Sequence, residues 1–353
     1  MAGIRTEDHP RSEVGDPQSP EFNVQGFEER RRRLEAAYAP IAADLIEAER
    51  IFRAELGSRY PFVQQLVDHS SRFRGKQLRP VLVLLAAKAC GGIRPAHAVL
   101  AAVVEMIHTA TLVHDDILDE ARVRRHAATI NAEWGNETAV LLGDYLFTHA
   151  FHLAASLEST LACRWIGRAT NLVCEGELRQ VHHRGNLDLD ESVYFDIIRG
   201  KTAELTAVSC RLGAQYAGAS TEAVEALDRF GRHLGIAFQI ADDVLDLWGD
   251  ERTTGKTLGT DLQKQKLTLP LIRLLSASPP EQAETARRLI GDANPDGRTR
   301  LLPLLEDTGA LQYAWEQAKE YVDRARNDLR ILPLSEARDL LDDLAQFVID
   351  RAS

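Results

Sequence analysis

EMIHTATLVHDDILD runs from Glu105 to Asp119, and a second stretch, GIAFQIADDVLD, runs from Gly235 to Asp246. In both, apolar residues recur at three- and four-residue steps, the period of an α-helix. Each ends in aspartates at positions i, i+1 and i+4, as DDILD at 115–119 and DDVLD at 242–246. Helical neighbours lie three and four residues apart, so Asp119 stands beside Asp115 and Asp116, and Asp246 beside Asp242 and Asp243. Three carboxylates on one turn repel one another unless a cation sits among them, and only Arg122 is placed to fold back on the first set. A single acidic cluster usually marks a solvated face. Here both clusters cap strongly apolar helices, where burial is expected and buried carboxylates need partners. Oxygen donors without His or Cys suit Mg²⁺, which keeps waters and is completed by substrate phosphates.

Outward from these stretches the pattern stays helical. The apolar period predicts helices over 29–56, 78–90, 96–121, 138–157, 161–181, 190–200, 203–217, 221–247, 267–276, 280–290, 311–329 and 335–351. Gly91-Gly92, Gly185-Asn186 and Asn294-Pro295-Asp296-Gly297 punctuate them. No sustained strand alternation occurs, so the fold class is all-α. Residues 1–25 are polar and lack an apolar period, which predicts a disordered tail before a single helical domain over 26–353.

Of 353 residues, 44% are hydrophobic and 27% charged, enough apolar material for a sizeable core. A net charge of −11 argues against a nucleic-acid binder and gives no help toward an anionic membrane. Cys90, Cys163, Cys174 and Cys210 show no CxxC spacing and read as small buried hydrophobes in a reducing compartment. No basic-then-apolar leader opens the chain, and the stretch 98–114 is interrupted by Glu105 and His108, short of a membrane span. A soluble, cytoplasmic protein is the expectation.

Basic residues cluster around the acids. Arg74, Lys76 and Arg79 precede a helix; Arg124 and Arg125 follow the first acidic cluster; Lys201-Thr202 follows Gly200 at a helix junction; Lys256 and Lys266 follow the second cluster. Lysine is scarce in this arginine-biased chain, and Lys76, Lys201, Lys256 and Lys266 all stand beside or between the acidic clusters, where a compact ammonium suits an anion. A basic patch by itself is more often a solvated surface feature. His108 shares a helix with Asp115 and by itself reads as a hydrogen-bonded core histidine.

With GKQLRP (75–80), the Glu105–Arg125 block, GDYLF (143–147), GELRQ (176–180), GKTAEL (200–205), the Gly235–Asp246 block and GKTLGTDLQKQKLTLP (255–270) in this order, the chain resembles the trans-isoprenyl diphosphate synthase (polyprenyl synthetase) family over roughly residues 70–351. The resemblance implies the isoprenoid synthase fold, a bundle of long antiparallel helices around a central cavity, and a homodimer. It implies a prenyltransferase that condenses isopentenyl diphosphate head-to-tail with an allylic diphosphate, using three Mg²⁺ ions per site. Asp115 and Asp119, assisted by Asp116, would bind the ions holding the allylic diphosphate, and Asp242, with Asp243 and Asp246, a further ion from the opposite wall. Arg124, Lys201, Lys256 and Lys266 would contact the allylic diphosphate, with Thr202 and Gln239 nearby. Lys76, Arg79, His108 and Arg125 would bind isopentenyl diphosphate. The chain departs from the family pattern at Gln77, where a second cation is usual, at His126, where glycine is usual, and at Ala128, in place of proline.

Ala110 and Thr111 lie about one turn before Asp115, and their small size leaves a product tunnel open, with Leu146 and Phe147 as candidates for its floor. A product of geranylgeranyl length or longer is expected, and a peripheral membrane contact through that lipid product is compatible with this reading. A class I terpene cyclase and a non-catalytic regulatory subunit remain the alternatives.

Overall fold

The computed structural model describes residues 38–73, 75, 77–249, 258–292 and 296–350. The expected tail at 1–25 and the start of the first expected helix lie outside them. Among the described residues the chain is helical almost throughout, with one two-stranded hairpin.

Helices α1 (Ala42–Leu56), α2 (Pro61–Ser70), α3 (Leu78–Ala89) and α4 (Pro95–Leu118) lead to strands β1 (Val123–Arg124) and β2 (Ala127–Ala128). Then come α5 (Ile130–Ala155), α6 (Leu161–His182), α7 (Glu191–Ile198), a π-helical turn (Arg199–Ala203), α8 (Glu204–Ala217) and α9 (Thr221–Trp248). Short α10 (Thr260–Gln263) precedes α11 (Leu269–Ala277), α12 (Pro280–Gly291), α13 (Gly297–Asp307), α14 (Ala310–Asp328) and α15 (Glu336–Asp350). Boundaries expected from the apolar period hold within a few residues, except that α5 starts eight residues early. A kink at Gly135, whose φ of 85° and ψ of 164° are non-helical, sets residues 130–134 off from the rest of the helix. Three helices, α2, α10 and α13, and the hairpin were not expected. Each is short, and α13 carries Pro303 in its interior, which masks a helical pattern.

Local chemistry sets the ends. Thr129, Asp190 and Ser220 accept hydrogen bonds from the backbone N–H groups of Ala132, Ser192 and Ala223, capping α5, α7 and α9. Gly218, in the left-handed region, closes α8.

Two apolar clusters form the core, and α9 carries both. Val224, Leu227, Phe230 and Leu234 join the cluster built by α3, α4, α5 and α8, whereas Ile236, Ile240, Val244 and Leu247 join the one built with α11 to α14. Each such fully buried side chain contributes about 1.5–3 kcal/mol. Gly231 and Gly235 let α9 lie directly on Thr206 and Ala203, because a Cβ on either would strike that backbone. This approach sets the distance between Thr202 and Gln239 in the site below.

Helix α4 corrects one expectation. Its 24 residues are long and apolar enough to cross a membrane, but 72% of the apolar window is buried against neighbouring helices. Its hydrophobicity is spent on the core. Cysteine burial is also uneven: all four are free, Cys210 is buried, and Cys174 is exposed, against the expectation for it.

Candidate active site

Lys266 stands between the acidic end of α4 and Asp261 on α10, the short helix that follows α9. Lys266 Nζ lies 3.0 Å from Asp119 and 3.8 Å from Asp261. Asp261, held on α10, accepts no role in the sequence reading, yet it stands with Asp246 and Asp242 as a fourth acid of the second cluster. The turn that brings it there is pinned by Asp246, whose carboxylate accepts from Thr260 N, Thr260 Oγ1 and Asp261 N at 3.3, 3.1 and 3.1 Å.

Members of each cluster differ in what they face. Asp116 is 1% exposed and takes a forked contact from Arg124 at 2.7–3.0 Å. Arg124, rather than Arg122, is therefore the cation that folds back on the first cluster, and it does so from strand β1. Asp119, at the C-terminal cap of α4, is ringed by Lys264 at 3.2 Å, Lys266, and Arg184 at 3.3 Å. Burial alone would raise its carboxyl, but Lys266 and Lys264 outweigh burial and hold it below the usual range. Among the described residues no cation is in contact with Asp115; burial pushes it up to about 6 despite Lys201. In the second cluster, buried Asp243 accepts from Tyr194 Oη at 2.7 Å and Gln239 Nε2 at 2.8 Å. Burial and the Asp261 charge push Asp243 well up, and burial with Asp246 brings Asp261 to about 6.

Lys201 enters from the π-helical turn. Its Nζ is 2.5 Å from Glu177 of α6, and although burial disfavours its charge, Asp115 and Glu177 hold it above the ordinary lysine range. Beside it Thr202 donates to Gln239 Oε1 at 2.8 Å, so Thr202, Gln239, Asp243 and Tyr194 form one chain of hydrogen bonds. The turn sits hard against α6 at a glycine pair: a Cβ on Gly176 would strike Lys201 N and come within 3.0 Å of the Gly200 carbonyl carbon.

A third group lies one to two turns back along α4. Burial first, and then Arg79, Arg125 and Arg124, drive the His108 imidazole well below its usual range, so it is neutral at physiological pH. Arg79 is brought down to about 10 by burial, opposed by Glu105. Arg125 donates to the Phe73 carbonyl and lies against Gly75. The hairpin turn that aims it has φ of 49° at Arg125 and 65° at His126, the two left-handed positions of a type I′ turn. The turn therefore tolerates the missing glycine at His126. Lys76 and Lys256, expected in the diphosphate sites, lie outside the described residues. Ala110 is fully buried in the core and Thr111 donates to the His108 carbonyl; Leu146 is fully buried, and Phe147 stacks on His114 over Gly143.

Asp115, Asp119, Asp242, Lys201 and Lys266, expected from the sequence, lie together with Glu177, Arg184, Tyr194, Asp261 and Lys264, which were not expected. Glu177 sits in GELRQ and Asp261 in GTDLQKQK, so position within those blocks was the available signal. Among the described residues no three acidic, His or Cys side chains converge as a ready-made metal nest. The donor set still fits a hard divalent cation, because Asp115 and Asp261 are buried, carboxylate-only and destabilised as anions.

Comparison with known proteins agrees with this geometry. The polyprenyl synthetase family model matches residues 60–305. The chain is 39% identical over 314 residues to an all-trans-nonaprenyl-diphosphate synthase (geranyl-diphosphate specific) of Rhodobacter capsulatus, covering 89% of this chain and 96% of that one. It is 37% identical over 313 residues to the octaprenyl diphosphate synthase of Escherichia coli, covering 88% and 96%. A polyprenyl synthase from Caulobacter crescentus, solved with calcium and isoprenyl diphosphate, superposes with a TM-score of 0.86 at 36% identity over 91% of this chain and 98% of that one. Two acidic clusters, a lysine between Asp119 and Asp261 and this breadth of likeness place the chain in the polyprenyl synthetase family of prenyltransferases.

Proposed function

We propose that the chain is a Mg²⁺-dependent all-trans polyprenyl diphosphate synthase whose product is of geranylgeranyl length or longer. The observation that carries this is Lys266 between Asp119 of α4 and Asp261 of α10, whose backbone N–H is held by Asp246 of α9, which links the two acidic clusters. The long-chain synthases among its relatives support the product class.

Asp115 and Asp119 from one wall, and Asp242 and Asp261 from the other, would hold the ions, three per site in this reading. When bound they supply charge neutralisation to a diphosphate that departs. Asp116 and Asp243 are already engaged, by Arg124 and by Tyr194 with Gln239, and orient the helix ends. Lys201 and Lys266 present ammonium groups to the leaving oxygens, and Lys256 belongs to the same set. Arg79, Arg125, neutral His108 and Lys76 receive isopentenyl diphosphate. The C–O bond of the allylic substrate breaks with its electron pair leaving on diphosphate, and the isopentenyl double bond supplies the pair for the new C–C bond to the allylic carbon. The departed diphosphate takes the proton whose loss restores an alkene. The apolar surroundings of α4 and α9 keep water from the cation.

A homodimer accords with Val140 and Leu141 of α5 and Leu178 and Val181 of α6, apolar side chains 40–69% exposed that a second copy would cover. Four free cysteines accord with a reducing cytoplasmic setting, with membrane contact through the lipid product. Asp115→Ala and Asp242→Ala test the reading: each should lower turnover by orders of magnitude, and near-normal rates would remove the ion-binding assignment. Omitting isopentenyl diphosphate should abolish consumption of the allylic substrate; consumption without it would point to a cyclase.

A further inference from the structure

Behind the turn that carries Lys201 lies a separate cleft of about 240 Å³, framed by α6, α8 and α9. Trp165, Leu172 and Val208 give it apolar walls, and no residue of the proposed active site lines it. Four arginines face it: Arg168, Arg199, Arg211 and Arg232. Only two carboxylates accompany them, and both are shared. Glu204 accepts a forked contact from Arg232 at 3.0 and 3.2 Å and has Arg199 at 3.5 Å, while Asp228 accepts from Arg232 at 2.9 Å and lies 3.9 Å from Arg211. Arg211 stacks on the Trp165 indole, its guanidinium 3.9 Å from the ring centroid, and among the described residues its buried Nε has no hydrogen-bond partner. A chain of net charge −11 thus builds a cleft with two more positive than negative groups.

We propose that this cleft is a second anion site that takes a compact polyanion of the diphosphate class and thereby stiffens the turn bearing Lys201. Its volume is below that of a drug-sized pocket, which favours a small anion over a peptide. Arginine forks match phosphoryl oxygens. Coupling follows from the turn itself: Arg199 and Glu204 bracket it on the cleft side, and Lys201 and Thr202 project from it toward the active site. A π-helical turn is a rare single-turn insertion, frequent at functional sites. Binding here needs no prenyl transfer, so the inference can fail while the reading of the active site stands.

Calorimetric titration of the metal-stripped full-length protein with inorganic diphosphate tests it. Expected, beside any binding at Arg79 and Arg125, is a further site whose affinity falls at least about tenfold in Arg168→Glu and in Arg211→Gln, and which survives Lys266→Ala and Arg125→Ala. Arg168 is exposed, so its reversal keeps the test valid if Arg211→Gln fails to fold. Amide exchange at residues 199–203 should slow on adding diphosphate to the parent protein and stay unchanged in Arg168→Glu. No binding, binding indifferent to both arginine variants, or binding without slower exchange would overturn the proposal.

Discussion

Gly176→Ala adds one methyl group to the middle of α6, and the structure says what that methyl meets. It would strike Lys201 N, come within 3.0 Å of the Gly200 carbonyl carbon and within 3.1 Å of the Ile197 carbonyl oxygen. All three are backbone atoms, so no side chain can swing away. Ordinary contact requires the π-helical turn to retreat from α6 by several tenths of an ångström, taking Lys201 with it. Overpacking of this kind costs about 1–3 kcal/mol, offset by up to about 1 kcal/mol from replacing a helical glycine with alanine. Displacing a group that positions a reacting oxygen by about 1 Å costs up to about a hundredfold in rate. The expected result is a net loss of about 1–2 kcal/mol in urea denaturation. Turnover should fall about ten- to a hundredfold with little change in helical content. Gly167→Ala is the control on the same helix. Its Cβ would have only a Phe151 ring carbon at 3.9 Å, so the protein should gain about 0.5–1 kcal/mol with turnover unchanged. Equal behaviour of the two variants would refute the argument that the glycine pair seats Lys201.

Arg124→Ala should cost about 3–5 kcal/mol, because it strands the buried Asp116 carboxylate; a loss under about 1 kcal/mol, measured by chemical denaturation, would show that water reaches Asp116. Ala110→Phe should shorten the product, read by mass analysis, since Ala110 is fully buried one turn from Asp115; unchanged length would discard the tunnel wall. Asp115 and Asp261 titrate near 6 in the folded protein, above the unfolded value of about 3.9, so folding takes up protons between these values. The stability they contribute to the metal-free protein is full below about pH 4 and is lost as pH rises through about 6. A divalent ion favours the ionised acids, so the rise in melting temperature on adding Mg²⁺ should be larger near pH 8 than near pH 5; the reverse order would contradict the assignment.

What the sequence disclosed is what periodicity and local spacing encode. The apolar rows of α4 and α9, and the acids at their ends, follow from one residue's relation to its neighbours three and four positions away. Lys264 could not be ranked above the other lysines in this way, because its contact with Asp119 depends on how the loop before α11 packs. Glu177 is likewise unremarkable on α6 until the π-helical turn lays Lys201 against it. The hairpin was illegible for another reason: two residues per strand give no alternation, and the two left-handed positions are filled by Arg125 and His126 instead of the Asn-Gly pair that signals such a turn. Arg122 was chosen over Arg124 by sequence distance alone, and that hairpin reverses the choice.

The central claim is that the two acidic helix ends form one site for chain elongation. Incubating the purified protein with isopentenyl diphosphate, Mg²⁺ and allylic diphosphates of increasing length, followed by mass analysis, tests it directly. Expected is a ladder of prenyl diphosphates differing by one isoprene unit and ending at geranylgeranyl length or beyond. No elongation with any primer would contradict it.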